Sequence, residues 1–521
     1  MTTLHSIFRG RLAPVAAGLV ALAYMVVSGF RGIGASTMDW LGEARRLGRE
    51  FADAPSSALD WTHQTAGFLE VFAALFYALL PAGYVEWVLF GCALAAGAVG
   101  TALIFAIAQK LAGAVGGWMA LFFMLTCAPW LGTFTRLDPT FAVIPLILAV
   151  VLVWHAQDWT WWLRTAVCAP LLACGVLLWP GMALVIAILL AVELLIGPVQ
   201  YSAAGRGLFA GPKLTVDRLV IPLAALGLLL LYPLFWPAPF EQLGQYFALA
   251  VETSPTQFVF RGDTYPPARP PIYTGAAWVF EQLPLAFVAA LCAGILWAFG
   301  GIDSPDQRLS TSCAALATAL MMTPVLFRTP RPMGIDFAVL VVATGIPVAS
   351  LITCRFFSFA LGRSAPTKKV RHVAIGTFVL AGISILIEVP RALESPESFR
   401  SPMSARLTGW SASGDMPMRQ DLLPLKLIEN SGADGDTPLY TAGWERHLEV
   451  YERMGLLDDV AITASPADAD IAIRPVPAIA ADRFSAYQAN HLSALDGAHT
   501  IVVPDIHRPL FFIDRKPRGQ D

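Results

Sequence analysis

The stretch VEWVLFGCALAAGAVGTALIFAIAQ, residues 85–109, carries one charged residue, Glu86, near its start. As an α-helix a run of that length rises about 37 Å, more than the ~30 Å hydrocarbon core of a bilayer. A transmembrane β-strand would instead alternate apolar and polar positions over about ten residues. This run is continuous, and in lipid its backbone groups must be satisfied within the segment, so a spanning helix is predicted.

Working outward, similar runs recur at 12–30, 113–131, 140–156, 162–179, 181–198, 218–236, 277–299, 309–328, 334–354 and 372–389, which makes eleven predicted spans. The composition agrees, with 56% hydrophobic and 14% charged residues, against about 25% charged in an ordinary soluble chain. The formal net charge of −3 offers no basic surface, so no nucleic-acid partner is expected. All seven cysteines (Cys92, Cys127, Cys168, Cys174, Cys292, Cys313, Cys354) lie in or beside apolar runs, without metal-ligand spacing, and read as small packing residues. The run 12–30 follows Arg9 and Arg11 as a signal peptide would. Its length and the following Arg31 make it a retained signal-anchor helix.

A further run, 66–83, contains Glu70 and follows a polar stretch. Lys and Arg concentrate in cytoplasmic loops. If 66–83 lies in the interface, the N-terminus, Lys110, the loop 199–217 with Arg206 and Lys213, and the basic loop Arg355–Arg371 all fall on the cytoplasmic side. If it crosses, the N-terminus disagrees with the other three. It is therefore read as an interfacial or re-entrant helix. Loop 31–84, the turns 132–139 and 328–333, loop 237–276 and the tail then face outward. The fold class expected is a polytopic α-helical membrane protein of eleven spans plus an interfacial helix, with a small C-terminal α/β domain outside the membrane. The boundary falls between 1–390 and 391–521. Short apolar strands at 438–440, 460–463, 470–473 and 500–503 alternate with helical patterns near 443–456 and 480–494 in that tail, which has no Gly-rich phosphate loop.

The outward segments hold the residues able to do chemistry. Asp39 lies about nine residues beyond the first span, in Ser36-Thr37-Met38-Asp39-Trp40-Leu41-Gly42-Glu43-Ala44-Arg45-Arg46. A carboxylate there is either a general base toward a hydroxyl or a solvated acid near the start of a polar helix. Arg136 and Asp138 sit in the turn Thr135-Arg136-Leu137-Asp138-Pro139. Charges between two spans are costly unless paired or wet. They are either functional or an ion pair that caps the next helix, with Pro139 in its first turn. Loop 237–276 offers Tyr246, Arg261, Arg269 and Tyr273, and Arg328 and Arg331 flank a later span. A guanidinium can grip a phosphate through forked donors or anchor a helix end at the interface. His63 stands in its loop without a second His or Cys, which argues against a metal. Trp159, Trp161 and Trp162 form an aromatic belt at a cytoplasmic interface, a structural role.

The order of these pieces resembles the GT-C glycosyltransferases, specifically the protein O-mannosyltransferase and aminoarabinose-transferase-like group (glycosyltransferase family 39-like). Asp39 and Ala44-Arg45-Arg46 match that group's acid and Ala-Arg helix, with Trp40 where the group carries a second acid. Trp61-Thr62-His63-Gln64 stands where the group has a Lys-Pro-Pro-Leu-Tyr segment, so its lysine is absent and His63 is the candidate substitute. Leu111-Ala112-Gly113-Ala114-Val115-Gly116-Gly117 leads to Arg136-Leu137-Asp138, the place of a second external acid. Phe260-Arg261-Gly262 through Pro270-Pro271-Ile272-Tyr273 is similar to the group's Pro-Pro-Tyr-Tyr loop, and Thr329-Pro330-Arg331-Pro332 to its Pro-Arg-Tyr entry.

The resemblance covers residues 10–390. It implies an inverting sugar transferase of the inner (plasma) membrane, with its N-terminus cytoplasmic and its C-terminal domain periplasmic. The donor implied is a sugar on a polyprenyl phosphate; the acceptor is a glycan, a lipid or a protein of the envelope. Asp39 and Asp138 are the implied catalytic residues. Glu43, His63, Arg136, Tyr246, Arg261, Arg269, Tyr273, Arg328 and Arg331 are the implied substrate contacts. A divalent metal occurs in the wider class, and no ligand cluster in this chain requires one. The alternatives are a transporter or flippase of lipid-linked sugar, a non-catalytic envelope-assembly protein, and a ligase or polymerase using the same donor.

Overall fold

The computed structural model describes residues 10, 12–33, 35–53, 68–156, 158–203, 212–232, 238–251, 258–260, 263–265, 271–300, 306–326, 336–361, 368–394, 437–441, 445–457, 461, 463, 465, 468–475, 499–504 and 509–515. The apolar runs form helices. In chain order these are α1 (Ala13–Ser28), α2 (Ala35–Asp53), α3 (Phe68–Leu79), α4 (Ala82–Leu125), α5 (Ala128–Phe134), α6 (Thr140–Trp154), α7 (Trp161–Leu178) and α8 (Met182–Ala203). They continue with α9 (Pro212–Leu230), α10 (Pro239–Val251), α11 (Thr274–Glu281), α12 (Leu285–Gly300), α13 (Gln307–Met321), α14 (Thr323–Leu326), α15 (Phe337–Leu361) and α16 (Lys368–Glu394).

By length and composition α4, α7 and α15 can each cross a membrane, and shorter apolar helices accompany them. The outer surface carries Val27, Leu195, Leu223, Leu296, Leu380 and Ile387, all exposed. A water-facing surface avoids a large apolar area of that kind, whereas a lipid-facing one requires it. The chain is thus a multi-pass helical membrane protein. Pro145, Pro170, Pro222 and Pro347 lie inside helices, where the packing of neighbouring helices tolerates them.

Helix α4 is two arms. Gly113 takes φ +70° and ψ −170° within it, a backbone region open essentially to glycine alone. The rings of Phe105 and Trp118 meet edge to face at 5.2 Å, although thirteen residues of unbroken helix would part them by about 20 Å. The chain therefore reverses at Gly113, close to the expected boundary between spans. A side chain at Gly117 would strike Phe105, so the arms pack at glycine distance.

Three expected spans are broken; one of them, 309–328, divides into α13 and α14 at Met322. The run 113–131 ends its helix at Leu125, and a new short helix, α5, starts with Pro129 in its first turn. The run 277–299 divides into α11 and α12 around Pro284, which supplies no backbone N–H to continue a helix.

The other strands are short. β1 (Gly32–Ile33) pairs in parallel with β2 (Arg136–Leu137), and β3 (Phe258–Phe260) pairs antiparallel with β4 (Asp263–Tyr265). In the tail, β5 (Leu439–Thr441), β6 (Ile471–Pro475), β7 (His499–Pro504) and β8 (Pro509–Arg515) form a sheet in the order β5-β6-β8-β7. β5 and β6 are parallel and the remaining pairs antiparallel. Helix α17 (Glu445–Arg453) packs Leu448, Val450 and Tyr451 into the core that Leu439, Ile471 and Ile473 share. Leu439 exchanges backbone hydrogen bonds with Ala461 and Thr463, where a strand was expected. The helix expected at 480–494 lies outside the described residues.

Candidate functional site

The two-residue pairing of β1 with β2 organises one end of the bundle. The Arg31 amide donates to the Thr135 carbonyl at 2.8 Å, then Gly32 lies opposite Arg136 and Ile33 opposite Leu137. This fastens the chain leaving α1 to the turn entering α6, about a hundred residues later. Helix α2 starts two residues beyond β1, and Asp39 stands about 6 Å along its axis from its first residue. The pairing thus sets the segment of the first candidate acid beside that of the second.

Arg136 and Asp138 are both buried, at 6% and 0% exposure, and form an ion pair at 3.1 Å. The same guanidinium nitrogen meets Asp336 Oδ2 at 3.4 Å. Asp138 Oδ1 accepts from the Thr140 amide at 2.9 Å and from the Thr140 hydroxyl. That hydroxyl accepts in turn from the Asp336 amide at 2.9 Å, and Asp336 Oδ1 accepts from the Ala338 amide at 3.0 Å. Two carboxylates at the starts of α6 and α15 therefore share one guanidinium, and each also takes up an orphan amide of its helix. The helix-capping reading of Arg136 and Asp138 is realised in this geometry, and the pair also braces β2.

Helix α2 lies over this end with two faces. Trp40, Leu41, Ala44 and Leu47 are buried, and Gly48 lets α3 approach so closely that a side chain there would meet Tyr77 and the Ala74 carbonyl. On the other face, spaced at the helical repeat, Arg46 is bonded to Glu43 and Glu50. The hydrogen bonds it donates to Glu43 hold the Arg46 guanidinium above its ordinary pKa, with the nearby carboxylate charges adding to them. A cleft of about 670 Å³ opens here, walled by Glu43, Arg46, Arg49 and Asp53 on one side and by Arg446 and Arg453 of α17 on the other.

The tail is fastened to the bundle beside this cleft. Arg453 meets the fully buried Glu86 at 3.1 Å, and the Tyr77 hydroxyl donates to the same carboxylate oxygen at 3.1 Å. Trp87 Nε1 donates to the Met454 carbonyl at 3.0 Å. Any side chain at Gly83 would collide with the Arg453 carbonyl.

The expected residues thus divide into groups. Arg136 and Asp138 come together, with the Asp39 helix beside them and Glu43 in the cleft wall. Tyr246 is buried, its hydroxyl shared between the Val176 and Leu177 carbonyls at 2.9 Å each, so it ties α10 to the end of α7. Tyr273 is half exposed at the start of α11. His63, Arg261, Arg269, Arg328 and Arg331 lie outside the described residues. Asp336, Thr140, Glu86 and Arg453 escaped the sequence reading. For Asp336 and Glu86 the available signal was an ionisable residue at the very edge of an apolar run. Among the described residues no three His, Cys, Asp or Glu side chains gather as a metal site.

No family model matches the chain, and no curated protein matches it. Among solved structures it is similar to ArnT from Cupriavidus metallidurans bound to undecaprenyl phosphate, at 14% identity and a TM-score of 0.45, over 96% of this chain and 97% of that one. The apo state of that ArnT gives a TM-score of 0.46 at the same identity and coverage. The archaeal oligosaccharyltransferase AglB from Archaeoglobus fulgidus, in complex with an inhibitory peptide and a dolichol-phosphate, gives 11% identity and a TM-score of 0.44, over 89% of this chain and 69% of that one.

Proposed function

We propose that this protein is a GT-C-type glycosyltransferase that moves a sugar from a polyprenyl-phosphate donor to an envelope acceptor at the outer face of the inner membrane. In this reading residues 1–390 cross the membrane eleven times and 391–521 form an accessory domain outside it. The observation that carries the reading is the β1–β2 pairing. It joins the segment of Asp39 to the buried Arg136–Asp138–Asp336 cluster, two regions that the motif order alone had singled out as acidic sites of one face.

Asp39 takes the proton of the acceptor hydroxyl. The oxygen attacks the anomeric carbon, the bond from that carbon to the phosphate oxygen breaks, and the lipid phosphate leaves with the electron pair. One displacement inverts the anomeric centre. Arg261, Arg269, Arg328 and Arg331 receive the phosphate charge as it develops, the kind of aimed electrostatic stabilisation that lowers such barriers most. His63 and Tyr273 belong to the same outer loops. Asp138, sealed from solvent and filled by Thr140 and Arg136, acts as a positioning residue: it holds β2, and through β1 the start of α2. Glu43 lines the cleft on the acceptor side.

The test is transfer from labelled polyprenyl-phosphate sugars to a crude envelope acceptor fraction, using the full chain in lipid. Loss of a general base costs about a hundredfold or more, so Asp39→Asn is expected to lose that much while unfolding at the wild-type temperature. Transfer by neither protein, with both folded, would overturn the transferase reading in favour of a transporter or an assembly protein.

A further inference from the structure

Helix α6 runs from the Arg136 cluster to His155, and its fifteen residues put about 22 Å between the two ends. At the second end His155, Arg164, Glu193, Arg218 and Asp306 are all buried. Arg308 meets Glu193 at 2.9 Å. Lys110 meets Asp306 at 3.2 Å and donates to the His155 carbonyl at 2.9 Å. His155 Nε2 lies 2.9 Å from Ser312 Oγ. Arg164 donates to the Ala156 and Trp159 carbonyls at 2.8 and 3.0 Å. The charges of Arg218, Lys110, Arg308 and Arg164 all act on His155, so the cluster is rich in cations.

Arg218 stands out within it. It is 2% exposed, and its guanidinium carbon lies 5.5 Å from the centre of the Trp154 ring. Among the described residues its Nε and Nη1 are buried with no hydrogen-bond partner; Glu193, the carboxylate within its electrostatic reach, pairs with Arg308 through Oε1, and its buried Oε2 makes no hydrogen bond. Two unmade bonds on a buried guanidinium are costly, and an anion with several oxygens removes that cost.

The depth of the cluster says where such an anion comes from. Trp159, Trp161 and Trp162 are exposed on the turn into α7, and Arg164 holds the Trp159 carbonyl. Exposed tryptophans at the end of an apolar helix belong at headgroup level. A basic pocket between helices at that level suits an anionic headgroup. We propose that Arg218, with Arg308 and Arg164 close enough to act on it, binds the phosphate of an anionic phospholipid headgroup. The site is separate from the Asp39 end and does not depend on the transferase reading.

The experiment follows the melting of the full-length protein in micelles doped with phosphatidylglycerol or, at equal mole fraction, phosphatidylcholine. A ligand bound only by the folded state raises Tm by mass action, here by about 2–4 °C more for phosphatidylglycerol than for phosphatidylcholine. Arg218→Gln is expected to lose most of that difference. Arg355→Gln, which removes an exposed charge from the same end of the bundle, is expected to keep it. If Arg218→Gln does not fold, Arg218→Lys replaces it: keeping the charge without the fork, it should retain less than half. Equal stabilisation by both lipids would overturn the proposal. So would an Arg218 variant that behaves like Arg355→Gln. Inorganic phosphate reproducing the whole increment without added lipid would overturn the headgroup and leave a site for a soluble anion.

Discussion

The two charged clusters at the ends of α6 are built on opposite balances. At one end a single guanidinium, Arg136, sits between Asp138 and Asp336. At the other, Lys110, Arg164, Arg218 and Arg308 surround Glu193 and Asp306. The first is tied to backbone: both carboxylates accept amides from their own helix starts and Thr140 links them, with Arg136 Nε left without a hydrogen bond among the described residues. The second is assembled from side chains of several helices and leaves Arg218 with open donors. A cluster whose acids are held by helix starts fixes geometry; a cluster with surplus positive charge attracts an anion. That difference is why the first cluster is read as a brace and the second is proposed to receive an anion.

Four unfolding measurements in one detergent would break or sharpen this contrast. The largest effect is expected from Arg136→Met, which strands two buried carboxylates and should cost about 3–5 kcal/mol, the usual result of removing one partner of a buried pair. A loss below about 1 kcal/mol would show that the cluster braces nothing. Glu193→Gln takes one carboxylate from the cation-rich end and should cost about 3 kcal/mol by the same reasoning. Asp336→Asn takes one from the acid-rich end, where Arg136 keeps Asp138, and should cost only about 1 kcal/mol, near the worth of one hydrogen bond. If these two substitutions rank the other way, the charge balances assigned to the two ends are wrong. Glu43→Gln is the smallest: an exposed pair with Arg46 contributes about 0.5 kcal/mol or less, so its thermal midpoint should barely move while the cleft loses one wall charge.

The helices were legible because long apolar runs have one workable answer in lipid. Where α1, α6 and α7 begin and end follows directly from the polar residues around them. The breaks at Leu125 and Pro284 were less legible, since no charge marks either and the run stays apolar across both. Of the candidate site, Arg136 and Asp138 could be paired on sight, two residues apart in a turn. Asp336 could not, because its partner lies 200 residues away and nothing local shows which helix starts adjoin. The β1–β2 clamp was invisible for a related reason: two-residue strands have no alternation to read. Of the charges around Arg218, only Lys110 entered the sequence reading, to orient a loop; their convergence depends on how five helices pack. In the tail, Pro509–Arg515 forms a strand whose central Leu-Phe-Phe-Ile run shows no period-two pattern.

The bond between Glu86 and Arg453 also bears on the order in which the molecule is made. Synthesis proceeds from the N-terminus, so Glu86 enters the membrane's edge 367 residues before its partner is translated. Through that interval the carboxylate must stay hydrated or carry a proton. Only a chain that has reached α17 can bury it as an ion. The last quarter of the protein therefore closes a position left open by the first. A truncated product would keep an acid held by Tyr77 alone and without its cation, a mark by which a cell's quality control could tell unfinished copies from finished ones.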